Sequence, residues 1–323
     1  MAIFTGTYHR YTAIGLREDL GNIIYNISPE DTPFISSAGK EKANQTLVEW
    51  QTDSLAAAVT NNAQLEGDDI TDYVTPTPTV RVGNYCQISR KLVAISGTLE
   101  TVDKAGRRGE LAYQLAMKGS ELKRDMETAA LSNQGGAAGS ASAARVSATM
   151  GAWLKTNDSL GASGASPVYT SGVPGAARTD GTLRAFTTTI LDAVVQSVWT
   201  AGGNPKNLFV GPVNKARASA FTSNVTRNFN ISNAPAKPSA LIAATDVYVS
   251  DFGTTRIVAS RFQQERDGWI LDFDYISIAQ LRPMQVHKMA KTGDADKRMM
   301  LIEWALKVKN EAALGLAADL TTT

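Results

Sequence analysis

The C-terminal stretch constrains the fold most. Met300, Ile302, Trp304, Leu306 and Val308 alternate with Glu303, Lys307 and Lys309, and a period of two puts the apolar set on one face of a strand. The eleven residues from Met299 to Lys309 make a strand of about 37 Å. A preceding leg near Ile276 to Met289 is joined to it by the turn Lys291-Thr292-Gly293-Asp294-Ala295-Asp296. Residues 103 to 133 carry the longest helical pattern, with Leu111, Leu115, Leu122, Met126 and Ala129 on one face, about 45 Å long. Gly106, Gly109 and Gly119 each cost on the order of 1 kcal/mol against alanine and predict irregular first turns. A helix and a strand of these lengths packed together form an elongated platform, not a sphere.

The other 200-odd residues must fit around that platform, and at 323 residues the length suits two domains, or one large domain with appendages. With 43% hydrophobic and 20% charged residues the composition is globular. A formal net charge of +1 supplies no long-range field for polyanions, which argues against dedicated nucleic-acid binding. Cys86 is the single cysteine, and His9 and His287 are the two histidines. Intrachain disulfides, thiolate zinc sites and paired-histidine metal motifs are excluded, and no cofactor is expected. The N-terminus lacks the pattern of a secretory signal, and no apolar run reaches the roughly 18 residues of a spanning helix. A cytoplasmic protein without membrane contact is expected.

Residues 1–45 read as an extended arm broken by Pro29 and Pro33, with a short helix from Arg17 to Tyr25 that puts Leu20, Ile23 and Ile24 on one face. Arg17 is expected to pair with Glu18 or Asp19 and not with DNA. Residues 46–96 read as a long β-hairpin with its tip near Asn61, Asn62, Glu66, Gly67, Asp68 and Asp69, and with Thr75-Pro76-Thr77-Pro78 stiffening the return leg as an edge. Between Ala43 and Val80 stand Glu49, Asp53, Glu66, Asp68, Asp69 and Asp72 and no lysine or arginine. In a chain of balanced charge this is the most informative local polarity. Neither arm nor hairpin has enough apolar residues to bury itself.

Residues 135–180 are mostly Gly, Ala and Ser, and are expected to form a surface excursion pinned by Trp153 and Leu154. An amphipathic helix follows from Thr182 to about Ala201, with Asp180 as its N-cap and Gly202-Gly203-Asn204-Pro205 as its stop. A strand at Leu208 to Val210, a helix to Phe221, and strands around Val247 and Val249, at Ile257 to Ala259 and through Trp269, Leu271, Phe273 and Tyr275 complete an α+β module over 181–275. Asp272 and Asp274 would share one face of that last strand, as a paired-carboxylate enzyme needs, but they more simply mark its solvent side. Asp294 and Asp296 read as turn residues before cation ligands. His287 reads as structural and Cys86 as a small buried hydrophobe. No GxxxxGK, GxSxG or HExxH pattern occurs.

The order of arm, acidic hairpin, long helix, α+β module and long returning strands resembles the Hong Kong 97-like fold of tailed-phage major capsid proteins. Five strings are similar to the SU10-like major head protein family within it: REDLGNIIYNISPEDTPFISSAGK, VEWQTDSL, WTAGGNPKNLFVGP, VYVSDFGTTRIV and KTGDADKRMMLIEWALKVKNE. The resemblance covers essentially the whole chain and is weakest over 135–150. It implies an N-arm (1–45), an extended loop (46–96), a peripheral domain made of a spine helix (97–134) and long strands (276–323), and an axial domain (181–275).

It also implies a structural, non-enzymatic protein whose copies form hexamers and pentamers of an icosahedral virion shell. The shell would be assembled in the bacterial cytoplasm around double-stranded DNA held non-specifically, with scaffolding and portal proteins and room for a decoration protein. A chain that begins at the arm, without the long helical leader that some relatives fuse there, is expected. The acidic loop, with Glu66, Asp68, Asp69 and Asp72, is expected to lie on a basic surface of a neighbouring copy. Candidates for that surface are Lys104, Arg107 and Arg108 at the helix start and Lys288, Lys291, Lys297 and Arg298 near the terminal turn. Some members of the wider fold lock their shells with isopeptide bonds from a lysine on the extended loop; here no lysine stands between Lys42 and Lys91, so non-covalent shells are expected. A nanocompartment shell of the same fold is the runner-up, distinguished by a cargo enzyme encoded nearby. A carboxylate hydrolase is a distant third, distinguished by elution as a small oligomer.

Overall fold

A computed structural model describes residues 31–64, 66–67, 75–221 and 246–322. The helix expected over Arg17 to Tyr25 and the acids Asp68, Asp69 and Asp72 lie outside them. The described chain opens on a short helix, α1 (Pro33–Ser37), started by a proline whose missing N–H is no loss in a first turn. Strands β1 (Gly39–Lys42), β2 (Leu47–Thr52), β3 (Val80–Tyr85) and β4 (Gln87–Ser96) follow, then α2 (Gly97–Thr101) and the long helix α3 (Glu110–Ala130). The middle of the chain holds α4 (Met150–Trp153), the two-residue strands β5 (Asp158–Ser159), β6 (Tyr169–Thr170) and β7 (Val173–Pro174), α5 (Thr188–Thr200), β8 (Asn207–Val210) and α6 (Pro212–Ser219). The last part holds β9 (Val247–Ser250), β10 (Gly253–Ala259), β11 (Gly268–Leu271), the long pair β12 (Ile276–Lys288) and β13 (Ala295–Val308), and β14 (Gly315–Ala317).

Two principal sheets result. One has the order β1-β12-β13-β4 and the other β5-β14-β11-β8-β10-β9. Leu122 and Met126 of α3 are buried in one core with Met300, Ile302, Trp304 and Leu306 of β13, so helix and strand do form the long platform. In the six-stranded sheet, Leu191, Val194, Val195 and Val198 of α5 close over Leu208, Val210, Ile257 and Ile270. After β13 the chain leaves the platform and inserts β14 between β5 and β11, which ties the two sheets together through the chain's end.

Several expectations are corrected. The stretch 46–96 is not one hairpin: β2 pairs with β3, but β4 crosses to the four-stranded sheet and runs antiparallel to β13. The break falls at Cys86, whose buried N–H donates to Thr46 O at 2.7 Å. Residues 75–79 belong to no strand, because prolines 76 and 78 have no N–H for a ladder. The long helix begins at Glu110 and not at residue 103. Gly106 takes φ +76° and Gly109 is extended, while the Glu100 carboxylate accepts the free N–H groups of Glu110 and Leu111. Helix α5 is capped by Thr187, whose Oγ1 accepts from Ile190 N–H; Asp180 is instead bound by Arg266.

Residues 135–180 are anchored at Trp153 and Leu154, both buried, while residues 137–144 lie exposed on the surface. Ala148, Met150, Ala152, Trp153 and Leu154 sit in the main core, because small residues let the backbone approach the platform closely. The strand through Trp269 stops at Leu271, and Asp272 caps a 3₁₀ turn at Phe273–Tyr275. Glu303, expected on the solvent side of its strand, is buried and paired with both Arg145 and Arg282.

The exit of the arm is held by a buried carboxylate on α3. Glu127 accepts N–H groups from Phe34 at 2.9 Å and Ile35 at 2.8 Å, and burial pushes its pKa up. Replacing Glu127 with alanine leaves both donors unpaired. It should cost about 1–3 kcal/mol and speed protease cleavage near residue 35, as followed by urea denaturation and timed digestion.

Candidate functional site

The exposed loop between β2 and β3 rests on a rigid base. The buried Asn84 amide donates to Ser147 Oγ (3.0 Å), Ala148 O (2.9 Å) and Leu306 O (2.6 Å), and its oxygen accepts from Tyr85 N–H and Ala148 N–H. One side chain thus joins the ribbon, the small-residue segment and the long strand. Trp50 of β2 stacks on Trp153 with ring centroids 5.4 Å apart, and its indole donates to Lys309 O. Gly172, at φ +80°, accepts Gly83 N–H at its carbonyl; a Cβ there would stand 2.2 Å from Arg81 O, so this approach requires glycine.

Beyond that base the described residues have no strand partner. Residues 53–64 and 75–79 are exposed irregular backbone, and Leu55 is 98% and Val59 73% accessible. Glu49 pairs with Arg81 across the ribbon, Asp53 Oδ1 accepts the next backbone N–H, and Glu66 sits in an exposed turn with Gly67. A cavity of about 520 Å³ separates Thr52 to Leu55 and Pro78 from Ala201, Asn310 and Ala312.

The two basic groups, nearly 200 residues apart in sequence, come together at the far end of the platform. Ala295 pairs with Ser96, which brings the β12–β13 turn beside α2 and the link into α3. A cavity of about 250 Å³ there is lined by Ser96, Glu100, Leu111, Lys291, Asp294 and Asp296 among others. Several of the cations are engaged within the chain. Lys104 Nζ donates to Glu100 O and Val102 O, Arg107 pairs with Glu110, Lys297 donates to Thr292 Oγ1, and Arg298 lies 3.3 Å from Asp296. Arg108, Lys288 and Lys291 are exposed and make no ion pair among the described residues.

The remaining chemical candidates have structural partners. Lys206 Nζ lies 3.1 Å from Asp272 and 2.5 Å from Asp274, and its hydrogen bond holds the Asp274 carboxyl below its ordinary value. One ammonium neutralises the carboxylate pair, and Asp272 is buried, not solvent-facing as expected. Burial pushes the Cys86 thiol up to about 11, so it is a poor nucleophile. His287 is exposed on β12 opposite Met299. No group of three His, Cys, Asp or Glu side chains among the described residues is placed to hold a metal, and none of their helices is long and apolar enough to cross a membrane.

Three polar sites were not legible in the sequence: the buried Asn84, the buried Glu303 with its two partly exposed arginines Arg145 and Arg282, and the buried Arg178–Asp267 pair. Asn84 had a faint signal, a polar residue between Val82 and Cys86 in an apolar run. The partners of the other two are 21 to 158 residues apart and leave no local trace.

Residues 3–321 match the model of the family described as SU10 major capsid protein. The chain belongs to that family. The SU10 assignment agrees with a stretch of 124 residues that is 47% identical to the major capsid protein of Escherichia phage Phieco32; the stretch spans 38% of this chain and about a third (35%) of that relative. The fold is that of tailed-phage capsid proteins. The capsid asymmetric unit of cyanophage A-1(L) superposes with a TM-score of 0.66 at 12% identity, over 95% of this chain and 98% of that one. The capsid of cyanophage P-SCSP1u does so at 0.58 and 11%, over the full length of both chains. As a family member the chain is a structural component of the phage virion capsid.

Proposed function

We propose that copies of this chain, arranged as hexamers and pentamers, close into the icosahedral head of a tailed phage around double-stranded DNA, without catalysing a reaction. In this reading the platform of α3 with β1-β12-β13-β4 is the peripheral domain, the six-stranded sheet the axial domain, and residues 53–79 the extended loop. The observation that carries it is the loop: an exposed stretch with Leu55 almost wholly accessible and six acids around it, on a base rigid enough to present it. A lone chain gains nothing by holding such a segment away from its body, whereas repeated heterologous contacts convert many weak unions into a closed shell. Scaffolding and portal proteins, assembly in the host cytoplasm and a decoration protein complete the reading. The family match favours this reading over a nanocompartment shell or a hydrolase.

Negative-stain microscopy of the expressed chain should show closed particles, and a monomer or small oligomer at all concentrations would refute the reading. Replacing Glu66, Asp68 and Asp69 together with lysine should block assembly if the acids seat on a neighbour's Lys288, Lys291 and Arg108. Normal shells with unchanged salt sensitivity would remove that contact from the account. With no lysine between Lys42 and Lys91, boiling in detergent should release 34.4 kDa monomers, and a ladder of linked species would contradict non-covalent closure.

A further inference from the structure

The platform offers a second receptor, more apolar than its basic end. Strand β4 is the outermost strand of its sheet, with β13 on one side and no further strand on the other among the described residues. It spans ten residues without proline, glycine or a bulge, and such an edge is a template for another strand unless it is blunted. The opposite edge is protected differently: β1 covers the first part of β12, and Pro283 and two register shifts interrupt the rest.

On β4 the side chains facing away from α3 are Ile88, Arg90, Leu92 and Ala94. Ile88 is 49% and Leu92 54% exposed, and Arg90 makes no ion pair among the described residues. Their cross-strand neighbours on β13 are Glu303, Leu301, Met299 and Lys297. The single acid of that set, Glu303, is neutralised by Arg145 and Arg282. The face is therefore apolar with a net positive charge.

From this geometry we infer that the segment Asp53–Val59 of a second copy adds antiparallel to β4. The segment alternates Asp53, Leu55, Ala57 and Val59 on one side, with the same four-residue spacing between its large apolar groups as Ile88 and Leu92. In the antiparallel register Val59 meets Ile88, Leu55 meets Leu92, and small Ala57 leaves room for Arg90. Asp53 then meets Ala94, next to Lys297. Apolar pairs and one opposite charge fall together in this register, which is the complementarity strand pairing selects.

The chain's own loop does not reach this edge. Leu55 shares a cavity with Asn310 and Ala312, past the end of β13, whereas Leu92 stands opposite Met299, eleven residues or about 35 Å back along the strand. The occupant is a neighbour. The inference rests on the shell reading and deepens it: adhesion comes from the apolar run of the loop as well as from its acidic tip.

The full-length chain carrying Leu55→Cys and Leu92→Cys tests the pairing, since directly opposed strand positions lie within disulfide reach and Cys86 is buried. Mild oxidation should link copies into a ladder on non-reducing gels. Independently, Leu55→Asp with Val59→Asp, at exposed positions that leave folding intact, should raise the critical concentration for assembly by at least about tenfold. Lys297→Glu should weaken assembly and Asp53→Lys should restore it. Wild-type particles with no cysteine linkage and normal assembly of the aspartate variant would overturn the pairing and leave the shell reading standing. Failure of the wild type to form particles would overturn the shell reading instead, and linkage in concentrated solution would then decide the pairing by itself.

Discussion

Replacing Asp267 with leucine should cost about 3–5 kcal/mol of stability, the expected effect of stripping a buried charge of its partner. Arg178 and Asp267 meet at 2.5 Å with neither side chain accessible to solvent. The pair joins the end of the small-residue segment to the turn before β11, and Arg178 lies 5.9 Å from the ring centroid of Trp269. Urea denaturation of the unassembled chain measures the loss. The double variant Arg178→Met, Asp267→Leu should recover most of it, because two apolar groups of similar volume avoid the desolvation that the ion pair only partly offsets. The same pair sets a pH dependence. Burial pushes the Asp267 carboxyl up to about 6 from its ordinary 3.8, against the opposing pull of Arg178. A carboxyl raised on folding holds its proton more tightly in the native state. Its contribution is fully present below about pH 4 and is lost as the pH rises through about 6. The gap between wild type and Asp267→Leu should therefore widen by on the order of 2–3 kcal/mol as the pH falls across that window. A gap that narrows would mean that the carboxylate, not the acid, is favoured at this site.

Asn84→Leu should be nearly as severe. Leucine fits the volume but abandons Ala148 N–H and the carbonyls of Ala148 and Leu306 in a dry core. Each orphaned group costs about 1–3 kcal/mol, so a loss of at least about 3 kcal/mol is expected. The loop base should loosen with it. Trp50 fluorescence, governed by its stack on Trp153, should shift well before the global unfolding midpoint, whereas in the wild type the two transitions should coincide.

The long elements were legible because their signals are local and repeated. Period two on β13 and the apolar face of α3 each extend over several turns or repeats, and the hydrophobic stripe has one sensible burial. The stripe of α5 was equally plain, but its start was misplaced because Asp180 and Thr187 are both good caps and only a tertiary partner, Arg266, removes Asp180 from the choice. The strand at Trp269 was overextended for a similar reason. Asp272 can alternate in a strand or cap a turn, and Lys206, 66 residues away, decides for the turn.

Of the candidate site, the acidic, lysine-free loop stood out from charge alone, as did the two basic clusters. Their convergence at one end of the platform did not, because it follows from the β4–β13 register. In the small-residue stretch the pins Trp153 and Leu154 were legible, but the burial of Ala148, Met150 and Ala152 beside them was not. Low bulk predicts a weak independent core, but it equally permits close packing against another element, and composition does not distinguish the two.

By itself the sequence determined which elements build the platform and which of their faces are apolar, the polarity of the loop and, through five separated strings, the family. Those depend on side-chain period and identity, which a linear chain carries in full. Only the tertiary structure decided that β4 leaves its apparent hairpin to become a sheet edge, that Arg178 finds Asp267, and that Asn84 ties three segments together. Those are unions between residues far apart in the chain, and which of them form is set by how the whole backbone packs.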